Sequence, residues 1–299
     1  EEIARIIGYD NIPIKKIKIP NAKQEIDSTE DKIRAFLVNN GFYEIINSPF
    51  VEHAHENSIS IDNPLDTTRM FLRTDISKSL IENLLYNERR QKDSIKLFEV
   101  ADIYSLEKNQ VLVTKKISII ASGRVGKNYK DFSKTMNVKY MNDLFKEFLP
   151  DFNFNFKNIS RELLNSKSKS EIVFCEIDFK ELQSYNCNYK DKFLPPREFI
   201  KYKPISEFPS SVRDISYLIK DSTKINSLRD VIFNHKNPIL RDVFIFDYYQ
   251  NKKTDEIKMG FRFTFQSHDK TLTFDEIDNA IELIISETLD INSISIPGI

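Results

Sequence analysis

At 299 residues, with 40% hydrophobic and 30% charged side chains, the chain can bury the cores of two domains and reads as soluble and globular. Its net charge of −1 excludes a global positive field toward nucleic acid, so any RNA contact must come from a local patch. No run approaches the ~18 apolar residues of a membrane helix, and no basic-then-apolar secretion signal opens the chain. Two cysteines, Cys175 and Cys187, are too few for a disulfide framework or a zinc site, which fits a reducing cytoplasm.

The chain opens on Glu1-Glu2-Ile3-Ala4-Arg5-Ile6-Ile7, an amphipathic helix entered in its middle, and is therefore expected to be part of a longer protein. Gly8-Tyr9-Asp10-Asn11-Ile12-Pro13 stops that helix, and residues 14–26, with Pro20 and four lysines, predict an extended linker. Ser28-Thr29-Glu30-Asp31 resembles a capping box before Ile33, Phe36 and Leu37 at helical spacing. Gly41 ends this helix and Tyr43–Ile46 begins a strand.

A second helix is expected over 76–90, with Leu80, Leu84 and Leu85 on its buried side. Strands follow at Ile95–Tyr104 and Lys116–Ser122, a helix near 138–148, and strands at 152–157 and 171–179. Adjacent strands predominate, which predicts a mostly antiparallel sheet with flanking helices. Lys190–Lys203, with Pro195-Pro196, is the expected boundary.

After it the order is βαββαβ. Val212–Ile219, Ile239–Tyr249, Glu256–Ser267 and Ile291–Ile296 read as strands, and Asn226–Asn234 as a short helix. Thr273-Phe274-Asp275-Glu276 is a capping box opening a helix to about Leu289. This is the ferredoxin-like arrangement, so the chain as a whole reads as α+β.

Period two sorts the side chains of that last sheet. Met259, Phe261, Phe263 and Phe265 form the core side, and Lys258, Gly260, Arg262, Thr264 and Gln266 the other. Strict alternation puts Phe244, Phe246 and Tyr248 on one face, with Asp247 and Tyr249 on its opposite. In a ferredoxin-like sheet the first and third strands are neighbours and the second lies beside the third, so Ser216, Asp247, Tyr249, Lys258 and Arg262 share the open face. A ring for base stacking, hydroxyl and carboxylate for base edges and cations for phosphate suit single-stranded RNA. The same pattern also fits an ordinary solvated sheet face with one edge tyrosine. Residues 203–299 carry 12 Lys and Arg against 15 Asp and Glu, which disfavours a stand-alone high-affinity RNA binder.

Four ordered motifs carry a resemblance: Phe208-Pro209-Ser210-Ser211-Val212-Arg213-Asp214, Ile245-Phe246-Asp247-Tyr248-Tyr249-Gln250, Phe261–Ser267 and Lys270–Glu276. They are similar to the ferredoxin-fold anticodon-binding domain of bacterial phenylalanyl-tRNA synthetase β chains. Upstream, Leu72-Arg73-Thr74-Asp75, Leu84-Leu85-Tyr86-Asn87 and Leu97-Phe98-Glu99-Val100 resemble the catalytic-like module of the same subunit. Glu1–Pro13 resembles the end of the small B-five domain before it. The resemblance therefore implies three parts: the end of the B-five domain and linker over 1–20, a class II synthetase-like but non-catalytic module over 21–202, and an anticodon-binding domain over 203–299.

It further implies an (αβ)₂ heterotetramer in which the α subunit uses ATP to charge tRNA-Phe, with the helix at 29–40 and its following strand helping to form the subunit interface. Tyr249 would stack on an anticodon base, with Asp247 and Ser216 nearby. Lys258 stands where relatives can carry serine, and Pro297 where some carry a C-terminal arginine. Glu1 and Glu2 match paired glutamates that help bind Mg²⁺ with the α subunit, and also fit two solvated carboxylates; the upstream oxygen ligands magnesium needs are missing.

The central region lacks an adenylating site. It offers only Gly41, Gly123 and Gly126, and Gly123-Arg124-Val125-Gly126 is no Walker loop. His53 and His55 beside Glu52 and Glu56 read as a polar loop before a metal site. Two alternatives stay open on sequence: a free-standing RNA-binding or regulatory module built from synthetase domains, and an unrelated metal-dependent enzyme using residues 52–56.

Overall fold

In the computed structural model, residues 2–13, 28–185, 187, 189, 202 and 204–298 are described. The linker expected over 14–26 lies outside them, as does the boundary at 190–203 apart from Tyr202. A short helix α1 (Glu2–Ile7) comes first, followed by α2 (Thr29–Asn39). The Ser28 hydroxyl caps α2 by accepting from the Asp31 amide at 3.1 Å. Gly41, at φ +79°, takes the left-handed turn that ends it.

The first sheet combines β1 (Tyr43–Glu44), β4 (Ser94–Glu107), β5 (Gln110–Gly123), β6 (Lys157–Ile159) and β7 (Ile172–Asp178) in the order β1-β4-β5-β7-β6. Among the described residues only the β1–β4 pair of this sheet is parallel. The strands β2 (Phe50–Val51) and β3 (Phe71–Leu72) form a separate small pair. Alternation along β4 and β5 feeds two cores. Phe98, Ile119 and Ala121 pack under α2, α4 (Val138–Lys146) and α5 (Phe179–Gln183). Leu97, Ile95 and Ile120 meet Leu80 and Leu84 of α3 (Ser77–Arg89). With both faces covered, β4 and β5 bury apolar side chains on both sides of the sheet.

The strand expected over 152–157 pairs only over Lys157–Ile159. Phe152, Phe154 and Phe156 still alternate, but their rings pack on one another and on Phe145 from backbone outside the strand ladder. A buried ion pair ties the module together. The Arg73 Nη1 donates to Glu99 Oε1 at 2.9 Å, and Glu99 also accepts from the Asn47 amide and side chain at 3.1 and 2.7 Å.

The second sheet has the order β11-β8-β10-β9, from β8 (Ser211–Ile219), β9 (Leu240–Gln250), β10 (Ile257–Phe265) and β11 (Ile294–Ser295). The helices α6 (Ile225–Asn234) and α7 (Phe274–Leu289) cover one face, over Tyr217, Phe261, Phe263 and Phe265. This is the expected ferredoxin-like order. The capping box is complete: Thr273 Oγ1 accepts from the Glu276 amide, and Glu276 Oε2 accepts from the Thr273 amide at 2.9 Å. Thr273→Ala is expected to cost about 1 kcal/mol, read as a shift in the urea midpoint of the unmodified chain.

Candidate nucleic-acid interface

Residues directly opposite in an antiparallel ladder present their side chains on the same face. Along the uncovered side of the second sheet, three rows follow from the register. Leu218, Lys258 and Tyr249 form the first, Ser216, Gly260 and Asp247 the second, and Asp214, Arg262 and Phe244 the third. The five residues expected there do share this face.

The partition within β9 differs from strict alternation. Gly260 pairs with Asp247 while Phe261 pairs with Ile245, so Phe246 is the extra residue of a bulge. The bulge shifts the period by one. Phe244 thus joins Asp247 and Tyr249 on the open side, while Tyr248, opposite Met259, turns to the core side. Phe246 lies across the glycine, since a Cβ on Gly260 would meet its ring at 2.7 Å. Glycine in mid-strand is therefore required for this ring to lie flat on the sheet.

The face has two halves. Ser216, Asp247 and Lys258 are exposed, and Tyr249 is 60% exposed on the edge strand. Arg262 is half-buried and engaged. It grips Asp214 through two hydrogen bonds, at 2.7 and 2.6 Å. Those bonds raise its pKa above the ordinary guanidinium value despite partial burial. Its guanidinium also lies 4.6 Å from the centre of the Phe132 ring, a residue of the first module. The sequence pattern missed Asp214, Phe244 and Phe246; only the glycine amid aromatic residues hinted at a ring above it. Nothing local marked Phe132.

Of the two glutamates matched to magnesium binding, Glu1 lies outside the described residues and Glu2 sits exposed in α1. Among the described residues no three His, Cys, Asp or Glu side chains gather in a group able to hold a metal. Of the matched pair only the Glu2 carboxylate is therefore described, one of the several oxygen donors a magnesium ion takes. Among the described residues no helix is long and apolar enough to cross a membrane.

Comparison with known proteins gives two family matches, a phenylalanyl-tRNA synthetase beta chain CLM domain over residues 12–176 and a ferredoxin-fold anticodon-binding domain over 206–292. The phenylalanine–tRNA ligase beta subunit of the Porphyra purpurea chloroplast is 27% identical, over 93% of this chain and 43% of its own length. The beta subunit of Wigglesworthia glossinidia brevipalpis is 29% identical, over 95% and 40%. That of Clostridium acetobutylicum is 24% identical, also over 95% and 40%. The chain thus spans about two-fifths of the length of these relatives. A pyrrolysyl tRNA synthetase structure from Desulfitobacterium hafniense aligns over 52% of the chain and 66% of its own, at 12% identity and a TM-score of 0.35. The family match that extends over more than half of the chain places it in the phenylalanyl-tRNA synthetase β-chain family.

Proposed function

We propose that this chain is the assembly and anticodon-reading portion of a non-catalytic phenylalanine–tRNA ligase β subunit. In this reading 21–202 is the catalytic-like module and 203–299 the anticodon-binding domain. The observation that carries it is Tyr249: a ring left mostly open on the edge of the sheet, opposite Lys258 and one row from Asp247 and Ser216, within a matched anticodon-binding fold. Stacking on such a ring is sequence-tolerant, so base choice falls to the neighbouring hydroxyl and carboxylate, and Lys258 supplies charge toward phosphate.

The partner is an α subunit in an (αβ)₂ heterotetramer. Val38, Tyr43, Ile46 and Phe50, on and after α2, are exposed apolar side chains suited to a subunit contact. ATP and magnesium serve the α subunit's chemistry, and a magnesium ion reached by Glu1 and Glu2 would need further oxygen donors from outside this chain.

Tyr249→Ala is expected to weaken tRNA-Phe binding by about 1–3 kcal/mol, roughly five- to 150-fold in Kd. Titration of labelled tRNA-Phe into the αβ complex checks this. Unchanged binding removes Tyr249 from the site. Failure of the complete β chain to restore any charging by α would sink the assembly reading.

A further inference from the structure

The open face of the anticodon-binding sheet is only half open. The loop after β5 leans on the other half, and backbone contacts hold it in place. Gly123, at φ +92°, has no room for a Cβ, which would lie 2.0 Å from the Asp93 carbonyl oxygen. The next amide, Arg124, donates to that same oxygen at 2.6 Å. The loop closes on itself through an Arg124–Thr135 bridge, and the Arg124 Nη1 donates to the Phe132 carbonyl at 2.6 Å.

At its tip Phe132 is only 5% exposed. The Arg124 guanidinium lies 3.9 Å from its ring centre and that of Arg262 4.6 Å. The rings of Phe244 and Phe246 stand 5.5 and 5.8 Å away. Two flanking contacts repeat the link: Tyr129 with Tyr248 at 5.5 Å, and Lys127 with Asp242 at 3.0 Å. Cation–π and aromatic pairs of this kind gain strength when desolvated, so the buried ring is the centre of the contact and the exposed ion pair its rim.

We propose that Phe132 is a positioning residue: it docks the catalytic-like module on the anticodon-binding sheet and so sets where Tyr249 and Lys258 present themselves to RNA. The connection runs through the bulge. Phe246 touches Phe132 on one side and, by lying across Gly260, adjoins Asp247 of the exposed half. Arg262 is then an interdomain clamp rather than a phosphate ligand. A pre-set domain binds without first having to find its orientation, which lowers the entropic cost of association. The RNA part of this proposal rests on the reading above; the docking part does not.

The chain contains no Trp, so Phe132→Trp installs a single, selectively excitable tryptophan in the contact and keeps an aromatic ring there. In the folded chain its emission should be blue-shifted and resist acrylamide, and adding Phe244→Ala should expose it. Emission typical of free indole in the folded protein would overturn the docking. In the αβ complex, Phe132→Ala should weaken tRNA-Phe binding on the order of tenfold, while Phe132→Trp retains it. Equal loss in both variants, or no loss in Phe132→Ala, overturns the positioning role. Adding the tRNA-Phe anticodon stem-loop should leave the Trp shielded. If the stem-loop exposes it, Phe132 yields its place to RNA and the proposal fails. A protected Trp together with a Tyr249→Ala variant of unchanged affinity keeps the docking and discards the RNA reading, so the two failures are distinguishable.

Discussion

Glu99→Ala is expected to destabilise the first module by about 3–5 kcal/mol, the range for removing one partner of a buried ion pair. Glu99 and Arg73 are 2% and 4% exposed. Besides Arg73, the carboxylate satisfies the Asn47 amide and side chain, and Asn47 in turn accepts from Asn83 of α3 at 2.7 Å. Arg73 also donates to the Asp102 carbonyl at 3.1 Å. Removing the carboxylate strands a buried guanidinium and two donors of Asn47, and the desolvation already incurred by the cation is no longer offset. Equilibrium urea unfolding measures the loss on the transition of the first module. A loss under about 1 kcal/mol would show that water or a neighbour replaces the carboxylate, below the range expected for a stranded buried charge. Replacing both partners at once, Arg73→Met with Glu99→Leu, should recover part of the stability, because no charge is left orphaned although the Asn47 donors and the Asp102 carbonyl still lose their partners. That contrast separates the cost of an orphaned charge from the worth of the pair.

Phe261→Ala should cost the second domain about 3–5 kcal/mol through lost transfer energy and the cavity left behind. Its ring is fully buried on the central strand, with Tyr217 at 5.7 Å and Phe233 at 6.1 Å. Beside it Phe263 continues the ladder, and the Tyr217 hydroxyl accepts from Thr288 at 3.2 Å. Such surroundings collapse poorly into a void, which favours the upper part of the range. The exposed Phe274 is the control: its truncation should stay within about 0.5 kcal/mol. Thermal unfolding of the two variants beside the parent decides it, and equal effects from Phe261 and Phe274 would contradict the placement of this core.

Both effects concern residues whose surroundings local patterning announced to different degrees. Phe261, Phe263 and Phe265 alternate with polar residues, so their common face was legible from period two alone. The burial of Arg73 and Glu99 was not. The two charged residues stand 26 positions apart, and nothing local pairs them before the fold brings β4 beside the segment after β3. The rings of Phe152, Phe154 and Phe156 gave the opposite error: alternation without strand pairing, because ring packing rather than a backbone ladder holds that segment.

The same division runs through the second sheet. Sequence by itself determined the βαββαβ order, the Thr273 cap and the company of Ser216, Asp247, Tyr249 and Lys258, because capping and alternation act over a few residues. Tertiary structure decided that Phe246 is a bulge over Gly260, that Arg262 belongs to Asp214, and that Phe132 covers half the face. Register and domain contact are settled between segments far apart in the chain, where no local spacing records which side chain arrives.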